Sequence, residues 1–404
     1  MQYLFTLKNN AMIIQDFIIK VASRCNLNCS YCYMYNMGDT TYKSQPKFMS
    51  IEIITALAHR LKKHCTDNKT TNISFVFHGG EPLLLDKSYY EEVVPLVKNI
   101  LEPVKVYFQL QSNGTLLDYD WCRLFKKLDV QVGISVDGPE AFQNKYRVYH
   151  NNKGSFADVM RGIKIRDEIS IGGLISVINT DIKPEDLYEF YLTINAKKVN
   201  ILLPDNHYDN LPKGKNGSFS FSDTTYGDWL IDLYDEWSNH ESKLRPGIPF
   251  FENIMNLILG KIKGDELIGK KNNGAVTIET NGDIEVVDPL RTCGNGFTRN
   301  TLNVFRNEIA EIEKCELFKE YYFSHERLSD KCLKCPIQNV CGGGYLGHRF
   351  SAEKRFNNPS IYCNDLMKLI THIQNDIVRR LPTNVLNQLK LEPVSYEEVF
   401  GFLN

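Results

Sequence analysis

The sequence predicts an α/β fold in which a parallel sheet is wound by helices in the right-handed sense and followed by a smaller cysteine-bearing unit. Three observations predict it. Six β-rich runs alternate with amphipathic stretches from residue 17 to about 240, at roughly 30 residues per pair, the length of a βα unit. The alternation is gone after about residue 275. The cysteines crowd into two groups, one directly after the first strand and one in the last quarter of the chain.

The strands are FIIKVAS (17–23), ISFVF (73–77), KVYFQLQ (105–111), QVGISV (131–136), GLISVI (173–178) and VNILL (199–203). Each is rich in Val, Ile or Phe, and most end at turn residues. Helical patterns lie between them at 50–64, 88–101, 118–128, 155–168 and 184–194. Such alternation gives either an open doubly wound sheet or part of a (β/α) barrel, and periodicity does not separate the two. The stretch 206–220, NHYDNLPKGKNGSFS, is polar and rich in Gly, Pro and Asn, so it reads as a loop covering the site. Helical patterns at 223–239 and 248–262 follow, then a Gly/Lys/Asn-rich break at 264–274. AVTIETNGDIEVVD then places Asn-Gly at a hairpin turn and is expected to open a second unit. The last helices are expected at 362–380 and 383–402. The resulting division is a core at 1–240, a helical linker at 241–274, a cysteine-rich domain at 275–380 and a C-terminal helical cap at 381–404.

Composition narrows the function. Of 404 residues, 43% are hydrophobic and 24% charged, which excludes a disordered or fibrous chain. The 47 basic and 49 acidic side chains leave a net charge of −2, so nothing global draws the protein to nucleic acid or an anionic membrane. No apolar run approaches the roughly 20 residues of a membrane span, and the start MQYLFTLKNN has neither a basic leader nor an apolar signal core. A cytoplasmic location is expected.

Eleven cysteines are too few and too unevenly spaced for a disulfide scaffold. Cys65, Cys122, Cys293 and Cys315 stand alone, and a solitary cysteine usually behaves as a small buried hydrophobe. Cys25, Cys29 and Cys32 instead place three thiolates in one loop after a strand, where α/β folds build active sites. Structural zinc and an ordinary 4Fe-4S cluster both take four protein ligands, so a triad leaves one metal position for a non-protein group.

CX3CX2C with Tyr31 before the last cysteine resembles the signature of the radical S-adenosylmethionine (radical SAM) enzymes. The resemblance implies a partial (β/α)6 barrel, a 4Fe-4S cluster on Cys25, Cys29 and Cys32, and S-adenosylmethionine chelated at the open iron. His78-Gly79-Gly80-Glu81-Pro82 matches the family's GGEP element, in which Gly79 and Gly80 let backbone approach a ligand and Glu81 accepts from the cofactor's ammonium. Ser112 and Asn113 after the third strand, and Ser135 and Asp137 after the fourth, are similar to segments that contact the cofactor or enclose the substrate. Arg147 stands where related enzymes pair an arginine with the cofactor's carboxylate.

Cys332-X2-Cys335-X5-Cys341 followed by Cys363 supplies four thiolates, a set that alone permits zinc or iron and sulfur. After a radical SAM core the spacing resembles the SPASM extension, which implies at least one auxiliary 4Fe-4S cluster. The usual pattern continues with a cysteine where this chain has Tyr345. The upstream cysteines are reduced to Cys293, which with Cys315 is a candidate for a second, incomplete cluster.

Segments around Tyr31–Asp39, Leu203–Asp205 and Cys341–Cys363 are similar to peptide maturases that build cyclophane cross-links, the triceptide-forming enzymes and darobactin synthase among them. The resemblance implies a 5′-deoxyadenosyl radical, abstraction of a β-hydrogen in a ribosomally made precursor peptide, and bonding of that carbon to an aromatic ring two residues upstream. Asp205 and Asp137, each at a strand end, are the candidate proton acceptors. The competing enzyme reading is a sulfatase-type maturase oxidising Ser or Cys to formylglycine. The non-enzyme reading is a zinc- or cluster-stabilised peptide-binding or electron-transfer protein. A reductant such as flavodoxin or ferredoxin is implied. Only about 16 residues precede the first strand, so leader recognition is expected to use the barrel rim, the second domain or a separate leader-binding protein.

Overall fold

The computed structural model describes residues 12–169 and 172–403. The N-terminal stretch expected to carry no leader-binding module lies mostly outside the described residues. Eight strands form one sheet in the order β6-β5-β4-β3-β2-β1-β7-β8. The first six are β1 (Asp16–Ala22), β2 (Asn72–Gly79), β3 (Lys105–Ser112), β4 (Val130–Ser135), β5 (Leu174–Val177) and β6 (Val199–Leu202), and adjacent pairs among them are parallel. All six expected strands are therefore present, with ends moved by one or two residues.

Helices cross between them: α1 (Ile51–Asn68), α2 (Lys87–Leu101), α3 (Tyr119–Leu128), α4 (Glu140–Tyr146), α5 (Phe156–Ile169) and α6 (Pro184–Thr193). In α1 the residues Ile54, Leu57, Ala58 and Leu61 recur at helical spacing and are fully buried, so one stripe faces the sheet. Asp118 starts α3 by accepting from the Trp121 amide at 2.7 Å. Strand β1 carries Phe17, Ile19 and Val21, all without solvent exposure, because it lies between two neighbours.

The second of those neighbours was not expected. The hairpin β7 (Ala275–Ile278) and β8 (Ile284–Glu285) turns at Asn281-Gly282, where Gly282 takes φ +86°. Instead of opening a separate unit at 275, β7 pairs in parallel with β1, from Asp16 opposite Ala275 to Ile19 opposite Ile278. The apolar run Val276 to Ile278 is buried on the core sheet, which an amphipathic exterior hairpin would not need.

Helices α7 (Thr225–Asn239) and α8 (Pro249–Ile258) follow the core. The second ends before the expected residue 262, with Gly260 at φ +67° just beyond it. The short helices α9 (Glu316–Tyr322), α10 (Asp330–Lys334) and α11 (Gln338–Cys341) surround the later cysteines. Helix α12 (Cys363–Arg380) packs across α7 and α8. Asp365 fixes it there, accepting from the Tyr226 and Gly227 amides at 2.9 and 2.8 Å and from Lys215 at 2.7 Å. The final expected helix is two, α13 (Thr383–Leu389) and α14 (Tyr396–Phe402). Lys390 in the left-handed region ends the first, Pro393 blocks its continuation, and Ser395 caps the second. No helix among the described residues is long and apolar enough to cross a membrane.

Candidate active site

The cysteine loop leaves β1 at a register shift between Lys20 and Ala22. Its backbone is anchored to the segment that carries Arg147: Asn28 N donates to Val148 O at 2.7 Å and Ser30 N to Tyr146 O at 3.0 Å. Cys25, Cys29 and Cys32 all open onto a cavity of about 450 Å³ at the C-terminal ends of the strands. Tyr31, Gly79, Gly80, Ser112, Asn113, Ser135, Arg147 and Asp205 line the same cavity, so most of the residues singled out in the sequence converge.

The two glycines serve a purpose the sequence did not reveal. Gly79 sits at φ +128°, and a Cβ there would lie 2.1 Å from the Ala22 carbonyl oxygen; one on Gly80 would lie 2.2 Å from that of Arg24. The first collision is with the end of β1 and the second with the cysteine loop just beyond it, where the Tyr35 hydroxyl also lies 2.2 Å away. Without side chains, Gly80 N reaches Ala22 O at 2.8 Å and Glu81 N reaches Arg24 O at 3.0 Å. The Gly-Gly pair thus clamps β2 to the strand that presents the thiols.

Glu81 lies just behind that pair. It is fully buried and off the cavity wall, with Oε1 accepting from Leu83 N at 3.0 Å and Ser112 Oγ at 2.8 Å, and Oε2 from Asn113 N at 2.8 Å. Burial pushes its carboxyl up, opposed by those donors. It holds the β3 end that presents Ser112 and Asn113. Asp137 is likewise behind the wall. Its Oδ2 accepts from the Tyr31 hydroxyl, its Oδ1 accepts from Val177 N at 3.1 Å, and Arg147 Nη1 is 3.9 Å away. Arg147 donates to the Tyr31 hydroxyl at 2.8 Å, which leaves Arg147 Nε buried without a partner. Ser135 Oγ accepts from Gln111 at 2.8 Å, and Asn113 Nδ2 is 3.7 Å from Cys25 Sγ.

Burial raises all three thiols, Cys32 to about 11; the charges of Glu81 and then of the companion thiols add to it at Cys25, and that of Cys29 at Cys32. Buried thiols that resist ionisation among themselves suit a cationic metal centre that binds them as thiolates. The C-terminal group has the same character. Cys332, Cys335, Cys341 and Cys363 line one small hollow with Lys331, Met367 and Leu403, and burial followed by repulsion from its companions pushes Cys341 up to about 12. Arg349 beside them has no solvent exposure and no ion-pair partner among the described residues, and its Nε is unpartnered. Burial depresses it to about 10, and only the charges of Cys332 and Cys341 oppose that. A negatively charged tetrathiolate iron–sulfur group supplies the missing counter-charge, so the residues present fit one. Cys293 lies near Arg355, Asp205 and Asp209, while Cys315 precedes α9 beside Lys319, so the two share no surroundings.

Sequence reasoning missed Glu266, Asp288 and their neighbours on the wall. Asp288 pairs with buried Lys20 and accepts from the Tyr33 hydroxyl at 2.5 Å. Burial would raise it, but the Lys20 and His78 charges hold it well below the usual carboxylate range. His78 is pushed down to about 4 by burial and by Lys20. Asp205 and Glu266 go the other way, each pushed up to about 7, chiefly by burial and, for Asp205, next by the charge of Asp288. A lone Glu in a Gly/Lys/Asn-rich break and an Asp after a hairpin carry no motif, so only the folded chain brings them to the site.

Residues 19–191 match the Radical SAM superfamily; the chain is an enzyme, with S-adenosylmethionine and 4Fe-4S clusters as its cofactors. More particularly, its relatives include anaerobic sulfatase-maturating enzymes. The serine-type enzyme of Bacteroides thetaiotaomicron is 27% identical over 354 residues, covering 82% of each chain. The cysteine-type enzyme of Clostridium novyi is 24% identical over 367 residues, covering 88% of this chain and 93% of that one. Among solved structures, anSMEcpe with bound AdoMet superposes with TM-score 0.74 at 22% identity over 93% of this chain and 99% of its own. Streptococcus suis SuiB bound to S-adenosylmethionine gives 0.55 at 15% over 83% and 74%. These likenesses establish the radical SAM α/β fold with its mostly parallel eight-stranded sheet.

Proposed function

We propose that the protein modifies a ribosomally made precursor peptide by joining an aromatic ring to the β-carbon of a residue two positions downstream, forming a cyclophane. The observation that carries this reading is a single C-terminal cysteine tetrad, with Tyr345 on the active-site wall at the position where the usual pattern has a further cysteine. When bound, the cofactors on Cys25, Cys29 and Cys32 supply a radical able to take hydrogen from an unactivated carbon, and the cluster on Cys332, Cys335, Cys341 and Cys363 supplies a one-electron acceptor.

The chain's own residues do the rest. Tyr31, Ser112, Asn113, Ser135 and Arg147 hold the nucleotide, with the partnerless edge of the Arg147 guanidinium available to its carboxylate. The largely buried wall excludes water from the reacting carbon. After the ring bonds to that carbon, restoring aromaticity releases one electron and one proton. Asp205 accepts the proton: it faces the cavity, while Asp137 is occupied by Tyr31 and Val177. A flavodoxin or ferredoxin delivers the priming electron, and the leader is read by the rim, the second domain or a separate partner.

The sulfatase-maturing relatives favour a second reading, oxidation of Ser or Cys to formylglycine, which also begins at a β-hydrogen. Anaerobic co-expression with a candidate precursor and tandem mass spectrometry separates the two. A loss of two hydrogens with fragments silenced between an aromatic residue and its partner supports the cyclophane. An aldehyde captured by a hydrazide at a former Ser or Cys overturns it.

A further inference from the structure

Two carboxylates on the cavity wall, Asp205 and Glu266, make no ion pair among the described residues. Among the described residues Glu266 receives only the Tyr321 hydroxyl, at 2.8 Å, and other carboxylates, Asp288 among them, repel both residues. The cations that could have served are engaged elsewhere. Lys20 is taken by Asp288, and Arg147 by Tyr31 and Asp137. The same wall carries two buried polar atoms with no partner, the Tyr345 hydroxyl and His348 Nε2, on side chains only 6% and 3% exposed. Glu266 and Asp205 are the two charges that act most on Tyr345. Uncompensated carboxylates and orphaned acceptors gathered in one cavity are costly unless something donates to them.

We propose that Asp205, Glu266, Tyr345 and His348 form a subsite for a cationic side chain of the peptide substrate, a Lys ammonium or an Arg guanidinium. A guanidinium offers five N–H donors, enough for two carboxylates, a phenolic oxygen and a neutral imidazole nitrogen together, and an ammonium's three meet both carboxylates and one of the two neutral atoms. The positive guest also holds Asp205 in the ionised form that a proton acceptor needs. The subsite rests on the reading that a peptide is the substrate, and it names the kind of residue that peptide carries near the modified carbon.

The test is anaerobic binding of fluorescent probe peptides to the cluster-loaded full chain with S-adenosylhomocysteine present, so that no turnover contributes. The probes are Trp-Ala-Lys, Trp-Ala-Arg and Trp-Ala-norleucine with blocked ends. The Lys or Arg probe is expected to bind at least about 30-fold tighter than norleucine, the scale for a buried charge pair. That preference should fall to near parity in Glu266→Gln and survive in Glu266→Asp, with melting temperature and iron content confirming that both variants fold. Equal affinity for all three probes in the wild type overturns the subsite, as does a preference that Glu266→Gln leaves intact. Cross-link mass spectrometry on the same probes is read separately. Tight Lys binding without a two-hydrogen loss keeps the subsite and counts against the cyclophane, whereas a cross-link on the norleucine probe at equal affinity does the reverse.

Discussion

Replacing Asp205 by Asn should make the protein more stable at neutral pH, although the residue faces the active site. In the folded chain burial pushes this carboxyl up to about 7, with Asp288 and Glu266 adding repulsion. In the unfolded chain it ionises near its ordinary value of about 3.9. Between those values the unfolded state has released a proton that the folded state keeps, so Asp205 costs stability increasingly as pH rises and the cost levels off above about 7. At about 1.4 kcal/mol per pH unit the full penalty is of order 4 kcal/mol, of which about 2 kcal/mol appears between pH 5.5 and pH 8. Asn keeps the shape and removes the ionisation. Melting of the wild type and Asp205→Asn, side by side in anaerobic buffer without peptide, should show a gain for the variant that is larger at pH 8 than at pH 5.5. A variant less stable than the wild type at pH 8, or a gain that does not grow with pH, would refute the picture of an uncompensated carboxylate on a dry wall.

Gly80→Ala should lower iron and sulfide content to that of the C-terminal site alone, because the new methyl meets the Arg24 carbonyl at 2.2 Å and pushes the cysteine loop away from β2; full iron content would contradict the clamp. Arg147→Lys keeps the charge but loses the fork that reaches Tyr31 at 2.8 Å, and should weaken S-adenosylmethionine binding about tenfold by equilibrium dialysis. Cys363→Ser should remove about four irons per chain, lower the melting temperature by leaving buried Arg349 without counter-charge, and spare cofactor cleavage at the N-terminal triad; unchanged iron content would exclude Cys363 as a ligand.

The parallel core was legible because each of its strands is a short apolar run bounded by turn residues, and each crossover repeats one stripe of buried positions. The cysteine loop was legible because its chemistry depends on close spacing along the chain. What stayed hidden depends on contacts between distant segments. Strand β7 looks like any hairpin strand until β1 is seen beside it. Glu81 belongs to a known element, yet the three hydrogen bonds that turn it inward come from residues 83, 112 and 113. Gly79 and Gly80 are required by the backbone of residues 22 and 24, which lie far from them in the chain. Glu266 stands in a break that composition alone marks as a linker, and Tyr345 registers in the sequence only as a cysteine that is missing.

The pairing of β1 with β7 bears on how the enzyme matures. Asp16 faces Ala275 across that ladder, so the strand leading into the first thiols lacks one of its two flanks until more than half of the polypeptide has emerged from the translation machinery. During that interval Lys20 has not met Asp288, and the bend that aims Cys25, Cys29 and Cys32 has support on one side only. The strand that leads into the first-made cysteines is therefore completed only by residues made long after it.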